Sequence, residues 1–174
     1  MKDPSIDINY GFNIPSAFEM KMENNEYKFS NIGILKNIST YMFGQKGNLK
    51  YKNKNYFDKI KNEKGRTLDI NYGPTTTILY LPTHSTNSPI GNLTNSYKKY
   101  LETYILDEET YEIICITSSE HIKEVTQTIK NKIKECKLCG KHLMILVGTM
   151  LSLAITIKEC DIVILCNTCN SIDL

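Results

Sequence analysis

The stretch Leu143-Met144-Ile145-Leu146-Val147-Gly148-Thr149-Met150-Leu151-Ser152-Leu153-Ala154-Ile155-Thr156-Ile157, followed by Cys160-Asp161-Ile162-Val163-Ile164-Leu165-Cys166-Asn167, decides the fold. Leu143 to Val147 is apolar without polar alternation, as in a strand buried on both faces. Gly-Thr ends it, Met150 to Ile157 forms a short crossover, and Asp161 to Leu165 is a second strand of the same kind. Two apolar strands joined by a crossover are expected to lie parallel and side by side in one sheet. Gly148 then lets backbone approach a ligand, and Thr149 offers a hydroxyl at the carboxyl edge, where open α/β sheets bind.

Upstream, Thr76-Thr77-Ile78-Leu79-Tyr80-Leu81 ends at Pro82 and reads as another buried strand. Ser88-Pro89 starts a helix, Ser as cap and Pro at the first helical position, with Leu93, Tyr97, Leu101, Tyr104 and Ile105 on its core face. An acidic turn at Asp107 to Glu109 leads to a strand over Tyr111 to Thr117. Ser118 or Ser119 then caps a helix with Ile122, Val125, Ile129 and Ile133 on one face. The order is strand, helix, strand, helix, strand, strand, an α/β layer fold over residues 75–174.

Residues 1–74 have a different texture. Pro4, Gly11, Pro15, Gly44, Gly47, Gly65 and Gly73 punctuate short apolar pieces such as Phe29 to Leu35, and no regular element is assigned there. A boundary is expected near Asn71 to Pro74, making 1–74 an irregular basic arm or insertion. The 174 residues carry a net charge of +2. That balance is uneven: 12 Lys and Arg against 8 Asp and Glu before residue 75, and 9 against 11 after it. Most of the excess lies between Gln45 and Arg66, where Lys46, Lys50, Lys52, Lys54, Lys59, Lys61 and Lys64 interleave with Tyr51, Tyr56 and Phe57. Cations that displace counterions and rings that stack on bases suit a nucleic-acid strand, and Lys50, Lys52 and Lys54 are its candidate contacts. A solvated Lys/Asn-rich loop is the alternative reading.

Twenty Lys stand against one Arg, Arg66, which leaves little for the bidentate phosphate clamps and arginine fingers of phosphoryl transfer. Leu143 to Ile157 is interrupted by Gly148, Thr149, Ser152 and Thr156 and falls short of the roughly 20 residues of a membrane span. The first nine residues lack the pattern of a secretory signal, so an intracellular, cytoplasmic chain is expected.

Cys136-Lys137-Leu138-Cys139 and Cys166-Asn167-Thr168-Cys169 form two CxxC pairs, an arrangement that often holds zinc. Here the first pair precedes one strand and the second follows another. In a parallel sheet the pairs sit at opposite ends of about five strand residues, on the order of 17 Å, too far to share an ion. A zinc-binding interaction module with Cys136, Cys139, Cys166 and Cys169 as ligands is therefore the alternative to the parallel sheet. Cys115 and Cys160 read as inert buried thiols. His84, His121 and His142 are scattered, and Asp161, at the start of a strand, reads as structural.

The block 145–167 resembles motif V of the second motor lobe of superfamily 2 helicases, in particular the helicase-like proteins of large DNA viruses. Ile78 to Pro82 is similar to the strand that opens that lobe, and Glu112 to Ser118 to the strand after it. The resemblance implies a RecA-like lobe that contacts a nucleic-acid backbone through Gly148 and Thr149 and closes over ATP and Mg held by a first lobe. Ala154 and Thr156 depart from the family pattern, which has Gly and Asn or Asp there. The chain ends at Leu174 before the arginine-bearing motif that should follow, and it has no Gly-rich Lys-Ser/Thr phosphate loop and no acidic metal box. The expectation is a truncated or degenerate C-terminal lobe without ATPase activity or bound cofactor of its own, partnered by an ATPase lobe or a longer parent chain. A non-catalytic α/β scaffold that binds through its Lys-rich arm is the remaining alternative.

Overall fold

A computed structural model describes residues 14–47, 74–82, 90–117, 122–148 and 157–166. Its centre is a four-stranded parallel sheet built from β3 (Thr76–Tyr80), β4 (Tyr111–Ile116), β5 (His142–Val147) and β6 (Ile162–Leu165), in the order β4-β5-β3-β6. The expected α/β class and parallel strands are present. The expected adjacency of the last two strands is not: β3 lies between β5 and β6, pairing Ile78 with Ile145 on one side and with Val163 on the other. The reason is the path of the chain. From β3 it passes beyond β5's place to lay down β4, returns to fill the gap with β5, and crosses β3 to add β6.

The faces of the sheet are covered by different elements. Helix α2 (Ile90–Tyr104), between β3 and β4, buries Leu93, Tyr97, Tyr100 and Leu101 on one face, against Leu79, Ile113, Met144 and Leu146. Helix α3 (Ile122–Leu138), between β4 and β5, buries Val125, Ile129, Ile133 and Cys136 on the other, against Ile78, Ile116, Leu143, Ile145 and Val147. β3, β4 and β5 contribute alternate residues to the two cores, which is why their apolar runs are unbroken. β6 instead packs Ile162 and Ile164 on the α2 face and leaves Val163 and Leu165 more than half exposed, so it is not buried on both faces as expected. Ile157 and Cys160, on the return from β5 to β6, pack on the α3 face. Tyr104, expected in the core, is instead 58% exposed, and Tyr100 takes the buried position one turn earlier.

The N-terminal region supplies what sequence periodicity did not assign. Residues Ile14–Phe18 form a 3-10 turn, β1 (Met20–Glu23) and β2 (Glu26–Phe29) an antiparallel hairpin, and α1 (Ile32–Phe43) a helix. Ala17, Phe18, Met20, Leu35 and Phe43 join the core on the α2 face. Residues 14–43 are therefore not irregular. Phe18 and Phe29 meet Tyr97 edge-on at 5.1 and 6.3 Å, and the buried hydroxyls of Ser39 and Tyr97 are 3.0 Å apart. That hydrogen bond explains a polar residue on the inner face of α1, because an unpaired buried phenol would cost about 1–3 kcal/mol. Gly44 ends α1 at φ 90°, its N–H donating to the Thr40 carbonyl at 2.9 Å, a backbone position that favours glycine. Among the described residues no helix is long and apolar enough to cross a membrane.

Candidate functional site

The strand order defines where this sheet offers a crevice. β3 and β5 are neighbours, yet the chain joins β3 to β4 through α2 on one face and comes into β6 through Ile157 and Cys160 on the other. Connections that part to opposite faces open the carboxyl edge between them, the topological switch point at which open α/β sheets bind ligands. Gly148 stands there. It is buried at the end of β5, and its N–H donates to the Ile116 carbonyl at 3.3 Å. On the β3 side, Leu81 N–H donates to the Val147 carbonyl at 2.9 Å and Pro82 is buried. The backbone of β3 and β5 is thus tied together up to the rim, and Gly148 is the last described residue of β5's exit. Thr149, the candidate hydroxyl beside it, lies outside the described residues.

Lys50, Lys52 and Lys54 also lie outside the described residues, but both flanks of their segment are placed. Lys46 N–H donates to the Tyr104 carbonyl and its Nζ to the Glu102 carbonyl, each at 3.3 Å, so the run begins on the last carbonyls of α2. A cation is favoured there by the exposed C=O groups of a helix end. The chain returns at Thr75, whose N–H and Oγ1 reach His142 Nδ1 at 2.9 and 2.8 Å at the start of β5. Both flanks belong to the amino edge of the sheet, opposite Gly148. The described flanks of the Lys-rich segment and Gly148 therefore stand at opposite edges of the sheet.

The amino edge is held by side chains acting as substitutes for backbone. Asp161 Oδ2 accepts from Thr76 N–H at 2.7 Å, while Asp161 N–H donates to the Thr76 carbonyl at 2.9 Å, extending the β3–β6 ladder by one rung. Asp161 is thus a structural carboxylate. His142 Nδ1 accepts from a backbone N–H, which places the neutral ring's proton on Nε2, and the ring lies 5.0 Å from that of Tyr111. His84 and His121 fall outside the described residues.

The cysteines separate by face as well as by end. Cys136, in the last turn of α3, belongs to the core on the α3 face; Cys166, directly after β6, belongs to the core on the α2 face. Burial pushes the Cys166 thiol up to about 12, and burial also raises those of Cys136, Cys115 and Cys160. Neutral thiols are poor metal ligands and poor nucleophiles. Cys139 is exposed. The Cys139-Gly140-Lys141 sequence, similar to a zinc knuckle, is a helix stop: Gly140 at φ 71° donates to the Lys137 carbonyl at 3.3 Å and Lys141 N–H to the Cys136 carbonyl at 2.9 Å. These are the paired bonds of a Schellman motif, in which glycine serves the left-handed turn. Cys169 lies outside the described residues. Among the described residues no group of three or more His, Cys, Asp or Glu side chains is placed to hold a metal ion.

Sequence reasoning missed a second concave surface, between the β1–β2 hairpin and α2, with a volume of about 980 Å³. Its signal was the Asn24-Asn25 pair between two alternating runs, a two-residue hairpin turn. Set against known proteins, the chain matches no family model, no curated protein and no solved structure.

Proposed function

We propose that the chain is a non-hydrolysing α/β lobe of the helicase second-lobe type, which contacts a nucleic-acid backbone at the carboxyl edge and works with a separate ATPase lobe. The single observation that carries this reading is the switch point between β3 and β5, with Gly148 at its rim. A glycine there lets a phosphodiester approach the backbone closely, and the Thr149 hydroxyl next in sequence is a donor for the same phosphate. ATP and Mg belong to the partner lobe in this reading. The Lys-rich segment adds sequence-independent attraction.

The test is binding of a fluorescent oligothymidylate to the full chain across a salt series. Thr149→Ala is expected to weaken binding about tenfold, the value of one hydrogen bond to a charged group. Replacing Lys50, Lys52 and Lys54 by Gln is expected to flatten the salt dependence by about two units of slope, at roughly 0.7 for each phosphate no longer neutralised. If Thr149→Ala leaves affinity untouched while the triple change abolishes it, the lobe is a scaffold and the arm is the binder. The attachment of Lys46 to α2, away from the carboxyl edge, is the observation that favours this second reading.

A further inference from the structure

The groove between the hairpin and α2 has one wall made of backbone that is unpaired among the described residues. Asn24 and Asn25, at φ 51° and 62°, form a two-residue turn that closes the pair Glu23–Glu26. In such a hairpin the closing pair exchanges both backbone hydrogen bonds, and every second pair after it does the same. The bonded pairs are then Glu23–Glu26, Lys21–Lys28 and Glu19–Ser30, and the last is seen directly in Ser30 N–H donating to the Glu19 carbonyl at 2.8 Å. Tyr27 and Phe29 fall between them, so their N–H and C=O groups turn away from β1. Outside the hairpin, neither has a backbone partner among the described residues. The five consecutive residues Glu26 to Ser30 line the groove, which places this outer edge of β2 on it.

The facing wall is one stripe of α2, carrying Asn92, Ser96, Lys99, Tyr100 and Thr103. Ile32 and Tyr104, both more than half exposed, supply apolar surface. The charges are unevenly matched. Lys21 and Lys28 both face Glu23, at 2.6 and 3.9 Å, whereas Lys99 has no ion-pair partner among the described residues. An edge offering backbone donors and acceptors at every second residue, beside an amphipathic wall with one unmatched cation, has the requirements of strand addition. We infer that this groove binds an extended peptide segment of a partner protein, which pairs with β2 as a third strand. Its alternate apolar side chains lie towards Tyr100, Tyr104 and Ile32, and an acidic side chain meets Lys99. This site is separate from the carboxyl edge and stands independently of the nucleic-acid reading.

The test pans a displayed random dodecapeptide library on the full chain and follows synthesised winners by amide exchange. The expected winners alternate apolar residues and carry an acid, and on binding they slow exchange at Tyr27 and Phe29 at least tenfold while Glu26 and Lys28, already in the ladder, change little. Methylating alternate peptide nitrogens abolishes the effect. Lys99→Glu weakens the acidic winners about tenfold, as expected for a reversed charge at an interface, and spares analogues with the acid replaced by its amide. The inference is overturned if no selected peptide protects Tyr27 and Phe29, if protection ignores peptide methylation, or if oligothymidylate and not peptide occupies the groove.

Discussion

The two edges of the central sheet are built on different plans. At the amino edge three side chains, Asp161, Thr75 and His142, extend the hydrogen-bond ladders beyond the strands, and Lys141 Nζ donates to the Glu108 carbonyl at 2.8 Å. At the carboxyl edge, among the described residues, the ladders are completed by the backbone N–H groups of Leu81, Gly148 and Cys166. An edge closed by polar side chains is committed to stability. The groups that make the bonds differ, so substitutions at the two edges are expected to act on different properties.

The largest separation is expected in alkali, through Cys166 at the carboxyl edge. Its thiol has an ordinary value of 9.0 and is raised by burial to about 12. Below pH 9 both folded and unfolded chains keep the proton, and the full stability is present. Between pH 9 and 12 the unfolded thiol ionises while the folded one does not, so stability falls as pH rises. At about 1.4 kcal/mol per unit the loss reaches a few kcal/mol by pH 12. Burial raises Tyr97 in the same direction. Urea unfolding at pH 7, 9 and 10.5 should show the decline, and Cys166→Ala should make it shallower.

Next in size is Asp161→Ala, which leaves the Thr76 N–H without its carboxylate and should cost about 2 kcal/mol. Oligothymidylate affinity of the folded protein should be unchanged; a parallel loss of affinity would erase the distinction between the edges. Thr75→Val removes the hydroxyl bond to His142 but keeps the backbone one, for an expected cost of about 1 kcal/mol in the same unfolding assay. The smallest effect is one of rate. Cys139, exposed beyond α3, should be alkylated at least tenfold faster at pH 8 than Cys115, Cys136, Cys160 or Cys166, whose thiols are held neutral. Peptide mapping after a short iodoacetamide pulse reads this directly.

The strands and the two long helices were legible because each strand holds an unbroken apolar run and each helix keeps one 3.6-residue period facing one core. Strand order was not, since the runs for β5 and β6 read the same whether or not β3 separates them. Three details of the N-terminal region hid it from periodicity. Ser39 interrupts the buried i, i+4, i+8 face of α1 between Leu35 and Phe43, and its reason, Tyr97, lies 58 residues away. The hairpin alternates Met20-Lys21-Met22-Glu23 with only Met20 fully buried, Met22 being 60% exposed. Tyr100 is buried and Tyr104 is not because Phe29, on that hairpin, covers Tyr100 at 6.3 Å. The candidate site was legible as a Gly-Thr corner. Its position at the switch point required the strand order.

The attachments of Lys46 and Thr75 have a consequence for how this gene product tolerates change. Lys46 and Thr75 are anchored at one rim of the sheet, so closing the stretch 48–73 between them costs an entropy that varies only slowly with its length. Swapping it for a brief flexible bridge, or grafting in a foreign cassette of another length, should leave the thermal midpoint within a few degrees of the parent.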